Sequence, residues 1–203
     1  MNDEMDILKE VGTISAGHAS IALSEILGKK INLNMPELDI ISGEEILTKI
    51  DTDQLVLSIN CHILSGLKGD ILFMLSEESS FKLIDICYKE DDLKIKTGVL
   101  TEMGMSVIKE IGNIVISSYV GALSILLKNV IIPSTPTLLS GTLKEILSFS
   151  ITPYTSKEHV LFAKVIFEET KSKISGSFYL ILNSEAIQKI QVACKETLKS
   201  LSL

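Results

Sequence analysis

Apolar side chains recur at helical spacing through Ile7, Leu8, Val11, Ile14, Ile21, Ala22 and Ile26, so the pattern predicts one long helix from about Asp6 to Leu27. Gly28 is suited to a left-handed cap, and Lys29 and Lys30 sit at the negative end of the helix dipole. The stretch INLNM then alternates up to Pro36, which predicts a strand at an edge or a bend. Ser42 is placed to cap a short helix in SGEEILTKI. QLVLSINCHIL and KGDILFMLS, parted by Ser65, Gly66 and Leu67, read as a β-hairpin. SEESSFKLIDICYKE reads as a closing helix capped by Ser76.

The same order of patterns starts again one hundred residues later. KEVGTISAGHASIALS from Lys9 is matched by KEIGNIVISSYVGALS from Lys109, and eight of the nineteen positions from 9 to 27 are identical to their counterparts. The register continues without a gap through Pro36 and Pro136 to EIL at Glu45 and at Glu145. It then drifts, with the extra length expected around ITPYTSKEH. The expected organisation is a single domain, 1–203, built from two repeats, 1–100 and 101–203, about a pseudo-two-fold axis. Doubling one half predicts an α+β fold: a largely antiparallel sheet of about six strands, its helices segregated to one face, with the long ones on the same side.

Composition narrows the function without naming it. A formal charge of −7 argues against nucleic acid or an anionic membrane surface as the main partner, since both require a basic footprint. Cys61, Cys87 and Cys194 form no CxxC pair and read as buried, inert thiols in a cytoplasmic protein. His18, His62 and His159 lack ligand spacing, so no bound metal is expected. The acidic start has no signal-peptide pattern, and no apolar run is long enough to suggest a membrane span. With 46% apolar residues and no Trp, the core is expected to be aliphatic, with apolar surface left for a partner.

The chemistry lies in a polar stripe. Asp6, Glu10, Thr13 and Gly17 are spaced four, three and four, as are Ser106, Glu110, Asn113 and Ser117, so each set shares one narrow helix face. A glutamate can pair with a cation, while an asparagine three residues on can both donate and accept to fix a water molecule. The duplication weighs against a merely solvated face, because Glu and Gly are kept twice where packing does not demand them.

Ser106, Glu110, Asn113 and then Pro136 after twenty-two intervening residues match the motif of the CheC family of chemotaxis phosphatases, which this chain resembles in its stand-alone, two-motif form. Asp6, Glu10 and Pro36 match the first copy, but Thr13 stands where that motif has Asn. The resemblance implies dephosphorylation of the phospho-aspartate on a CheY-type response regulator, with Mg²⁺ carried by the regulator and not by this chain. It implies that Asn113 orients the attacking water, that Glu110 pairs with a regulator lysine, and that Ser106 and Asp6 support the site. Glu10 and Thr13 would form a weak or inactive second site, because threonine lacks the two-ended carboxamide. The alternative is a non-catalytic module that binds the regulator or a CheD-type receptor deamidase.

Overall fold

The computed structural model describes residues 2–49, 53–87, 101–153 and 158–201. The first series of elements is α1 (Asn2–Leu27), β1 (Asn32–Ser42), α2 (Gly43–Lys49), β2 (Leu55–Ser65), β3 (Gly69–Ser76) and α3 (Glu77–Cys87). The second is α4 (Glu102–Leu126), β4 (Ile132–Pro133), β5 (Thr137–Thr142), α5 (Leu143–Ile151), β6 (His159–Glu169), β7 (Ile174–Leu182) and α6 (Ser184–Leu201). Every element expected of one half is present, and the two-residue β4 raises the sheet from six strands to seven. Residues 88–90 of the closing-helix pattern, and 154–157 of the segment around ITPYTSKEH, lie outside the described residues.

All strand pairings are antiparallel, in the order β1-β6-β7-β3-β2, with β4 and β5 both on β2. The sheet is woven across the two series. β1 pairs with β6, β5 pairs with β2, and β3 meets β7 at the centre. As its pattern predicted, β1 is an edge strand, and it bulges between Asn34 and Glu37, around Pro36.

The long helices share one face of the sheet. Leu8 and Leu23 of α1 and Ile108, Ile116 and Tyr119 of α4 pack with Ile71 and Phe73 of β3 and Val165 of β6. The short helices α2 and α5 cover the opposite face, where Ile46, Ile146 and Leu147 pack on Leu72, Phe162 and Tyr179. Helices on both faces, rather than on one as expected, are required because β3 is buried without a break from Asp70 to Leu75, and β7 from Phe178 to Leu182. Such strands need cover on each side, whereas alternating strands need it on one.

Much of the internal repeat proves to be structural. Glu45 N–H donates to Ser42 Oγ at 3.3 Å, while Glu45 Oε2 accepts from Ser42 N–H at 2.8 Å. Glu145 and Thr142 repeat this capping box, at 3.3 and 2.9 Å. The identical Ser24 and Ser124 clamp the exits of the long helices: Ser24 Oγ accepts from Ile31 N–H at 3.2 Å and Ser124 Oγ from Ile131 N–H at 3.0 Å.

The same exits differ at one residue. Gly28 has φ 59° as its cap position requires, and its counterpart Lys128 holds φ 49° with a side chain attached. A left-handed conformation costs a residue with a Cβ about 1–2 kcal/mol, partly offset by the greater freedom of glycine in the unfolded chain. Lys128→Gly is therefore expected to stabilise the protein by about 0.5–1 kcal/mol. A thermal melt raised by about 2 °C would show it, and an unchanged or lowered melt would contradict it.

Candidate active site

Helices α1 and α4 pack against each other on the sheet, so the two polar stripes lie on neighbouring helices of one face. Thr101 starts α4, its hydroxyl accepting from Gly104 N–H at 3.0 Å. What seats the middle of this helix is Gly112, where an added Cβ would come within 2.7–2.9 Å of three atoms of Ile59 on β2. Only a residue without a side chain lets the backbone lie this close to the strand, so packing does demand the repeated glycine at 112, contrary to the expectation drawn from the repeat. Gly112 lies between Glu110 and Asn113, so the contact fixes the turn that carries both.

On α4, Ser106, Glu110 and Ser117 are exposed and Asn113 is half-buried. On α1, Asp6, Glu10 and Thr13 are exposed. Among the described residues, the side chains of Glu10, Glu110 and Asn113 have no hydrogen bond or ion pair. Their acceptors and donors are therefore available to an incoming molecule. The hydroxyls beside them are committed to their own helices: Ser106 Oγ donates to Glu102 O at 2.9 Å and Thr13 Oγ1 to Lys9 O at 2.8 Å. A threonine that spends its proton on the preceding turn cannot donate outward, where asparagine offers a donor and an acceptor.

Pro136 is half-buried in the connection from β4 to β5, and Pro36 lies within β1. The structure also exposes apolar residues beside the stripes, two of which, Ile14 and Ile21, periodicity had assigned to the buried face. Ile14 and Ile21 of α1 are 38% and 58% exposed, and Met103, Met105 and Ile114 of α4 are similarly open. Ile14 and Ile114 are the same residue in both copies, one position after Thr13 and Asn113. That identity was legible in the sequence, but the ordinary reading of an isoleucine in an amphipathic helix hid it. Exposed apolar side chains around uncommitted polar ones have the composition of a protein-docking surface.

Burial pushes the Cys61 thiol up to about 11. Cys87, expected to be buried, is exposed at the last residue of α3, where the helix end leaves it on the surface; the side chain of Cys194 lies outside the described residues. His62 on β2 is exposed and bonds through Nδ1 to the buried Asp70 on β3. Burial raises the Asp70 carboxyl above its usual range, and His62 opposes that shift. No group of three His, Cys, Asp or Glu among the described residues stands ready to hold a metal ion. No described helix is long and apolar enough to cross a membrane.

Residues 103–140 match the model of the CheC-like family, a span that holds Ser106, Glu110, Asn113 and Pro136. Over 135 residues the chain is 32% identical to the CheY-P phosphatase CheC of Bacillus subtilis (strain 168), covering 66% of this chain. In this span the chain is similar to the CheC-like family. The matched region spans 65% of the length of the Bacillus protein. Among solved structures, Thermotoga maritima FliY superposes on 97% of this chain and 98% of its own, with a TM-score of 0.74 at 22% identity. CheX from Desulfovibrio desulfuricans covers 86% of this chain and 99% of its own, with a TM-score of 0.57 at 13% identity. At these identities the solved structures establish the fold.

Proposed function

We propose that this chain is a phosphatase that accelerates loss of the phosphoryl group from the aspartate of a CheY-type response regulator, working chiefly from α4. The observation that carries the reading is the uncommitted pair Glu110 and Asn113, held on an exposed turn inside the segment that matches the CheC-like model. Hydrolysis of an acyl phosphate needs a water placed in line with the bond that breaks. The Asn113 carboxamide accepts a hydrogen bond from that water and orients its lone pair toward phosphorus. Glu110 pairs with a lysine of the regulator and sets the helix at the right height. The phosphorus–oxygen bond to the aspartate breaks, the carboxylate leaves and inorganic phosphate is released. Mg²⁺ on the regulator would supply charge neutralisation, and this chain contributes positioning.

In this reading the chain is one domain of two repeats, 1–100 and 101–203, with the α4 site competent. The first site, with Glu10 and Thr13, is weak or inactive, and Ser106 and Asp6 support their helices. The reading puts the protein in the cytoplasm beside its regulator. A second reading is favoured by the apolar surface at Met103, Met105 and Ile114: a module that holds the regulator, or a CheD-type deamidase, without turnover.

Incubation with a phosphorylated CheY-type regulator separates the two. A phosphatase shortens the phosphate lifetime at substoichiometric amounts. A binder leaves that lifetime unchanged or lengthens it.

A further inference from the structure

The two helices differ in the room they leave for a partner. Positions 10, 14, 17 and 21, like 110, 114, 117 and 121, recur every three or four residues and so share one helix face. On α4 that face ends in Gly121, where an added Cβ would meet nothing within 4 Å. On α1 the equivalent residue is Ile21, 58% exposed and standing clear of the core. Positions 17 and 117 hold Gly and Ser, both small, so 21 and 121 are where the two approach surfaces differ most in bulk.

From Asn113 to Gly121 is eight residues, about 12 Å of helix. A docked protein surface of roughly 800 Å² is about 30 Å across, so position 121, about 14 Å of helix from the midpoint of Glu110 and Asn113, falls at the margin of a footprint centred on them. We infer that the residue at 21 and 121 is a specificity determinant that directs the response regulator to α4: Gly121 admits it closely, and Ile21 holds it off α1. The inference rests on the phosphatase reading and deepens it. The occupant is the regulator itself, whose lysine complements the unpaired Glu110 carboxylate beside the exposed Ile114. Thr13 and Ile21 thus disable the first site independently, one by removing the carboxamide and the other by occupying the approach.

Binding and turnover are measured separately to test this, using a CheY-type regulator loaded with beryllofluoride for affinity and with phosphate for rate. Gly121→Ile should raise Kd by about tenfold or more while kcat at saturating regulator stays within about twofold. Gly121→Ala, which changes helix propensity with little bulk, should bind like the native protein. In an Asn113→Ala background, Thr13→Asn with Ile21→Ala should dephosphorylate the regulator at subsaturating concentration at least about tenfold faster than Thr13→Asn alone. Unchanged affinity in Gly121→Ile, or no gain from Ile21→Ala, overturns the inference while leaving the phosphatase reading intact. A native protein that neither binds the loaded regulator nor shortens the phosphate lifetime defeats both.

Discussion

Asn113→Ala is expected to slow dephosphorylation by about 10²-fold at saturating regulator while leaving the thermal melt within a degree or two. The size follows from the role of the carboxamide. A group that orients a reacting water supplies alignment the solvent provides only rarely, and mutation of such groups costs about 10²–10⁴ in rate. The small effect on stability follows from the surroundings. The side chain is half-buried on a helix surface, has no hydrogen bond among the described residues, and alanine is the better helix former. Affinity for a beryllofluoride-loaded regulator should change little, because pairing with the lysine is assigned to Glu110. Activity unchanged in Asn113→Ala would move the chain to the binding-module reading.

Gly112→Val should have the largest effect on the fold among substitutions near the site. The new Cβ would stand 2.7–2.9 Å from Ile59, a side chain with no exposed surface on a strand paired on both sides. Neither atom set is the far end of a flexible chain, so relief requires α4 to move off the sheet. Overpacking of this kind costs about 1–3 kcal/mol, and a β-branched residue adds two methyls to a contact already too short for one carbon. A loss of about 3 kcal/mol by chemical denaturation is the expected outcome. Activity should fall as well, because Glu110 and Asn113 ride on the displaced turn. Ile59→Ala removes two of the three clashing atoms, so the double variant should be less destabilised than the sum of the singles. Strict additivity would show that Gly112 is not held by that contact.

The periodicity of the sequence carried the local elements: the long helices, the capped short helix, the hairpin and the closing helix all stand where the apolar spacing and cap residues put them. The order of the strands was not legible. INLNM is polar enough for an edge, but nothing in it says that the neighbour is β6 rather than β2, since pairing across a hundred residues leaves no local signature. Exposure misled in a specific way. Ile14 and Ile21 fit an apolar face by spacing, yet the face that α1 presents to the sheet runs through Leu8, Ala16, Ala19 and Leu23. Repetition had more than one cause. It marked Glu110, but it also marked Glu45 and Glu145, whose carboxylates only cap short helices.

The exchange of edge strands between the two series also sets when the molecule can form. Residue Ser42 of β1 finds its partner in His159, and Asn32 in Glu168, so β1 leaves the ribosome more than a hundred residues before the strand it must join. At about 5–20 residues per second, that interval is on the order of 6–25 s. Throughout it β2 and β3 can close their hairpin, but β3 lacks β7, β2 lacks β5, and the apolar faces of ILFML lack the cover of α4 and α5. The nascent chain therefore carries open strand edges and bare isoleucine and leucine surface for the whole synthesis of the second series, the state in which chains stick to one another. The first half thus has no complete sheet of its own, and the sheet closes only once residues through Leu182 have emerged.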